Sequence, residues 1–142
     1  MKSAGTLITI CLLLTASTLF AQSESQRPMK VNVPFAFGVE DLSLPAGEYY
    51  IFIATPGRTI RIVSADGKHS AIVNTLPNYA KEPSARSSLV FHKHGGEYFL
   101  VQVWTAGQNV ARDPLSSKRA MEIAGSGGRP QTFTILALSE HR

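Results

Sequence analysis

Residues 48–74 read EYYIFIATPGRTIRIVSADGKHSAIVN, and this stretch decides the fold. Pro56-Gly57 and Asp66-Gly67 are turn dipeptides that divide three β-rich runs. If each closes a two-residue hairpin, Ile53 faces Ile60, Ile51 faces Ile62, Ile62 faces Ala71 and Ile60 faces Val73. One face of the meander then carries Ile51, Ile53, Ile60, Ile62, Ala71 and Val73. The other carries Tyr50, Phe52, Arg61, Val63, Ser70, Ile72 and Asn74, a mixed set. The first face is the predicted core. A one-residue slip would invert the two faces, so the pattern itself pins the register. Pro-Gly favours a type II turn over the primed turns, which makes the first hairpin the looser prediction.

Period-two patterning continues outward on both sides. Val31, Val33, Phe35 and Phe37 alternate with Asn32, Pro34 and Ala36, as in a half-buried strand. Pro34 has no N–H to give a ladder, which predicts a sheet edge or a bulge there. Leu44-Pro45-Ala46-Gly47 reads as a turn and Glu48 to Thr55 as the next strand. Pro77 to Ser87 is a polar stretch without periodicity, expected to be a loop, either a lid or a crossover. Ser88 to Lys93 and Glu97 to Thr105 form strands around His94-Gly95-Gly96. The second, EYFLVQVWT, is apolar on both faces and predicts a central strand.

Asp113-Pro114 reads as a helix start, with Asp113 as N-cap, Pro114 at the first helical position and Gly125 as the stop. Leu115, Met121 and Ile123 give it a thin apolar stripe, enough to lie across a sheet or plug a barrel end. After the link SGGRPQ, Thr132 to Leu138 is a last strand. The expected fold is all-β and mainly antiparallel: one small β-barrel or β-sandwich of about seven to eight strands, with one short helix before the last strand.

The N-terminus predicts the compartment. Lys2, the apolar run Leu7 to Phe20 and the small residue Ala21 have the form of an export signal over residues 1–21. The run is short of the roughly 20 residues that a spanning helix needs. Residues 22–28 read as a disordered mature N-terminus and 29–142 as a single β domain, exported to the periplasm or the medium. Cutting after Ala21 would remove Cys11, the only cysteine, so packing alone would hold the mature chain.

The formal net charge is +4, and the basic residues are scattered along the chain: Arg58, Arg61, Lys68, Arg86, Lys93, Arg112, Lys118, Arg119 and Arg129. Nucleic-acid binding calls for a basic stripe with aromatic residues between, and this pattern does not have one. An envelope polymer or a protein remains a possible partner for a soluble exported domain.

Candidate chemistry is sparse. His92 and His94 lie two apart on a strand, on one face, with Glu97 across the hairpin as a third metal ligand if the loop is Gly95-Gly96. The competing reading is an exposed hairpin tip. No G-x-S-x-G elbow is present, Glu40-Asp41 read as a polar turn, and the glycines at 125, 127 and 128 follow a helix instead of opening one. No catalytic residue and no cofactor follow from these motifs. Phe35, Phe37, Tyr49, Phe52, Phe91, Tyr98, Phe99, Trp104 and Phe133 are expected mainly as core, with a ligand-lined barrel as the alternative.

The ordered series Val33-Pro34-Phe35-Ala36-Phe37, Leu44-Pro45-Ala46-Gly47-Glu48-Tyr49, Asp66-Gly67-Lys68, Leu89-Val90-Phe91-His92, Tyr98-Phe99-Leu100 and Val103-Trp104 resembles a family of small exported proteins common in soil bacteria. The resemblance runs from about Val31 to Ala124. It implies a signal peptide plus one β-rich domain and a closing helix at Ser117, Lys118 and Glu122, and it implies no activity. The family pattern has a basic residue and then tyrosine after the histidine, where this chain has Lys93 and His94. Three functions are therefore expected in order: a non-enzymatic binding or structural module of the envelope, an apolar-ligand carrier with a barrel pocket and Pro77 to Ser87 as its flap, and a metal-dependent enzyme using His92 and His94.

Overall fold

The meander folds in the predicted register. In the computed structural model, which describes residues 27–54 and 57–138, Ile53 pairs with Ile60 and Ile51 with Ile62, while Ile62 pairs with Ala71 and Ile60 with Val73. The expected export signal with Cys11, the segment 22–26 and the turn residue Pro56 lie outside the described residues. Ten strands and one helix are present among the described residues: β1 (Met29–Val33), β2 (Phe37–Val39), β3 (Leu42–Leu44), β4 (Gly47–Ile53), β5 (Thr59–Ser64), β6 (Ser70–Tyr79), β7 (Ser88–His94), β8 (Glu97–Trp104), β9 (Val110–Pro114), α1 (Lys118–Gly125) and β10 (Gln131–Leu136).

Pairing runs in the order β1-β4-β5-β6-β9-β8-β2-β3, with β7 on β8 and β10 on β7. All pairs are antiparallel except β2 with β8, and the sheet does not close into a barrel. Strand β6 joins two layers. Its first half, Ser70 to Asn74, pairs with β5, and its second half, Thr75 to Tyr79, pairs with β9. Val31, Tyr49, Ile51, Ile60, Ile62 and Val73 from one layer meet Phe37, Val39, Leu89, Phe91, Leu100 and Val103 from the other in one buried cluster. The result is a small sandwich-like β domain.

Besides β6, two chain crossings connect the layers, and each has a local cause. Pro34 ends β1, because it cannot donate a ladder bond; the chain leaves the first layer at Val33 and enters the second at Phe37. The single strand expected over 31–37 is therefore split, although the alternation of buried side chains continues through Phe37 and Val39. The return crossing, from β3 to β4, contains Leu44 to Tyr49. The Tyr49 hydroxyl donates to the Pro45 carbonyl, closing a tyrosine corner of the kind that marks sandwich crossovers. Burial and the nearby Asp66 charge push the Tyr49 phenol above its ordinary range.

Pro77 does not begin a loop. Strand β6 runs on to Tyr79, with Pro77 opposite Arg112. The Leu115 N–H bonds the Asn74 carbonyl at 3.1 Å and the Ala80 N–H bonds the Asn109 carbonyl at 2.8 Å. Alternation between these ends puts Pro77 and Pro114 at non-hydrogen-bonded positions, so neither missing N–H weakens this ladder. The remaining polar stretch is stitched to the β8–β9 turn by Ser84 N–H to Gln108 O (2.9 Å) and Gly107 N–H to Ser84 O (2.8 Å). It is not a free flap.

Asp113 and Pro114 close β9 instead of opening a helix. Helix α1 starts later, where the Ser117 hydroxyl accepts the Ala120 N–H at 3.0 Å as N-cap. None of its residues is buried, and Met121 is 57% exposed, so the helix neither covers a sheet nor plugs an end. An exposed Arg119–Glu97 ion pair tethers it to β8.

Candidate functional site

The hairpin β7–β8 places the predicted metal candidates together at one end. His94 is opposite Glu97, and Gly95 and Gly96 between them have φ of 54° and 92°, the left-handed pair that a type I′ turn requires. His92 and His94 have ring centroids 6.2 Å apart. Glu97, however, faces the helix: Arg119 Nε donates to Oε1 at 3.0 Å and Nη2 to Oε2 at 3.1 Å. This two-pronged contact occupies both carboxylate oxygens and raises the Arg119 guanidinium further above its ordinary value. His92 is half-buried; that burial, and then the neighbouring His94, hold its imidazole below the ordinary value of 6.5. Among the described residues no three His, Cys, Asp or Glu side chains gather into a metal-holding group.

His92 also lines a groove of about 530 Å³, between the end of β6, β9, β8 and the start of α1. Glu40, Asn78, Asp113 and Ser117 supply its polar groups, and Leu76, Phe99 and Leu115 its apolar ones. Asn78 Nδ2 donates to Asp113 Oδ2 at 2.9 Å, while Asp113 Oδ1 is buried without a partner. Asp113, expected as a helix cap, is thus half-satisfied in a groove. Glu40, at φ 48°, turns its carboxylate to the Asn74 N–H at 2.8 Å.

Aromatic residues fill the interior. Phe37 meets Tyr49 and Phe91 edge to face, with centroids 5.4 and 5.3 Å apart. Phe35 stacks on Tyr98 at 3.7 Å and meets Phe91 edge-on at 5.0 Å. The space that a barrel pocket would have offered is taken by this packing. Phe52 lies outside it, under the Arg61 guanidinium at 4.3 Å. The Trp104 indole N–H finds the Gln102 side-chain oxygen at 3.3 Å.

A second depression opens at one end of the sandwich, with a volume of about 540 Å³. Five chain segments reach it: Arg27 to Lys30 at the start of β1, Ile51 and Ile53 on β4, Arg86 and Ser87 before β7, Thr105 and Ala106 after β8, and Ala137 and Leu138 after β10. Three of its backbone N–H groups are already bonded. The Ala106 N–H bonds Ser87 Oγ at 2.9 Å, the Ala137 N–H bonds Ser87 O at 2.9 Å, and the Leu138 N–H bonds Lys30 O at 2.8 Å. The cleft presents apolar Met29, Ile51, Ile53, Ala137 and Leu138, with Arg27 and Arg86 also in its lining; Lys30 reaches it with its backbone, while its ammonium lies over Tyr50 beside Glu48 on the other face of the sheet. Neither depression follows from the sequence motifs. Arg86 stands among scattered basic residues in the chain, and only the fold brings it beside Arg27 and Lys30.

Searches of protein-family models, of curated proteins and of solved structures return no match to this chain.

Proposed function

We propose that this chain is an exported, non-enzymatic binding module that takes a small ligand at the open end of the sandwich. One observation carries the reading: a cleft of about 540 Å³ with an apolar floor, at the end where β1, β4, β7, β8 and β10 converge. That volume is within the range of small-molecule sites, which are mostly apolar with a few placed polar groups. The floor offers surface to bury, and among the described residues its lining carries no carboxylate or imidazole. The leader-like residues 1–21 support export.

The test is uptake of an apolar naphthylamine fluorophore by the purified protein. Saturable binding of one probe per chain, lost on Ala106→Trp, which puts an indole into the cleft, is the expected result. Absence of saturable uptake, or uptake unaffected by Ala106→Trp, overturns the reading.

A further inference from the structure

The groove of about 530 Å³ between the end of β6, β9, β8 and the start of α1 lies apart from the cleft, on the outer face of the layer that holds β8 and β9. Register puts its side chains on that face. Leu76 is opposite Asp113 and His92 opposite Phe99, and the Asn78 side chain bonds the Asp113 carboxylate at 2.9 Å. A Cβ on Gly38 would meet the Phe99 ring at 3.0 Å, so β2 borders the same face. Arg112 precedes Asp113 but is opposite Val103, a core residue, and leaves β9 on the other side.

Two carboxylates, Glu40 and Asp113, are in the lining, and among the described residues no lysine or arginine is. Neither acid makes an ion pair among the described residues, and the nearby Arg119 is committed to Glu97. Asp113 has one neutral donor, Asn78, on Oδ2 and none on its buried Oδ1. Glu40 accepts the N–H of Asn74, two residues and about 7 Å along β6 from the Leu76 that faces Asp113, so one cation can lie near both acids. Burial holds the His92 imidazole below 6.5, so it adds no cation at neutral pH. Leu76 and Leu115, 53% and 43% exposed, supply apolar surface for a ligand to cover. A groove of one sign attracts its counter-ion and repels an anion, while a neutral hydrocarbon leaves both carboxylates without a counter-charge. We infer that the groove binds a small organic ammonium compound, its hydrocarbon against Leu76 and Leu115 and its cation at Asp113 and Glu40. Binding of so small a cation is weak and freely exchanging.

The experiment is titration of the purified protein with hexylammonium, hexanol and hexanoate at neutral pH, followed through the His92 ring and the Leu76 and Leu115 methyl resonances. Hexylammonium should shift these signals saturably and bind about fivefold or more tighter than hexanol, with hexanoate weakest. Asp113→Asn and Glu40→Gln each remove a charge and keep an oxygen; each should reduce that preference by about twofold or more, with hexanol unchanged. Should Asp113→Asn fail to fold, Glu40→Gln carries the same test at a part-exposed position. The Ala106→Trp variant should bind hexylammonium as the wild type does, so failure of the groove and failure of the open-end cleft are read separately. No saturable shift with hexylammonium, equal affinity for the amine and the alcohol, or an unchanged preference in the charge variants overturns the inference. Tighter binding of an acetylated lysine amide than of hexylammonium also overturns it, because the groove would then read a protein side chain.

Discussion

The Glu40 carboxylate accepts the backbone N–H of Asn74 at 2.8 Å, across 34 positions of the chain. Asn74 is where β6 stops pairing with β5 and starts pairing with β9. The Asn74 carbonyl is taken by the Leu115 N–H, and Glu40 takes the N–H where the ladder changes partner. Thr75 next to it sends both its N–H (2.6 Å) and its hydroxyl (2.9 Å) to the Arg58 carbonyl. The joint between the two layers is therefore held by side chains as well as by ladder bonds.

Glu40→Ala should lower stability by about 1 kcal/mol, the net value of one part-exposed hydrogen bond. Glu40→Gly loses the same bond but relieves the left-handed φ of 48°, so it should be less destabilising than the alanine variant. Urea unfolding of the three proteins orders them; a glycine variant less stable than the alanine one contradicts the account.

Tyr49→Phe keeps the ring against Phe37 and removes only the hydroxyl that closes the corner on Pro45. A loss of about 1 kcal/mol is expected. Phe91→Ala, by contrast, removes a fully buried ring that meets both Phe35 and Phe37, and should cost about 3–5 kcal/mol. Chemical denaturation separates the two magnitudes.

Ser117→Ala should act locally. Losing the N-cap costs about 1 kcal/mol of helix stability. Because α1 buries no residue, this should appear as faster amide exchange over 118–125, with little change in the global unfolding midpoint. An equal fall in global stability would mean that the helix supports the core after all.

Stability should fall as the pH is lowered, because of His92. Its folded value lies below the ordinary 6.5, so the unfolded chain binds the proton more readily. The contribution is fully present above 6.5 and is lost as pH falls from there through the folded value. His92→Gln should flatten this part of the stability–pH curve. Asp66 adds a separate acid limb: hydrogen bonds from Ser64 Oγ (2.6 Å) and the Lys68 N–H (2.9 Å) hold its carboxyl below 3.8, so its share is lost at lower pH still.

The core of the fold was legible and the sites were not, for physical reasons. Alternation over 48–74 plus two turn dipeptides pinned every pair of the meander, since a slip would have exposed the isoleucines. Pro77 and Asp113-Pro114 misled because proline carries two meanings: it breaks a ladder only where its N–H would have been bonded, and that depends on a partner strand distant in sequence. Leu44-Pro45-Ala46-Gly47-Glu48-Tyr49 held a signal that reads as a simple turn, since nothing local shows that the tyrosine hydroxyl reaches back to Pro45. The cleft collects residues from five separated segments, and no spacing rule joins Met29 to Ala137. His94 does face Glu97 across the hairpin, but Arg119 claims the carboxylate from a helix whose position the hairpin does not specify.

Native mass spectrometry of the protein isolated from its own host would weigh a bound ligand together with the chain. The chain should carry one small ligand per molecule, released from wild type on mild activation and missing from the Ala106→Trp variant prepared in the same way. A wild-type mass equal to that of the chain alone, under conditions that preserve weak complexes, would contradict it.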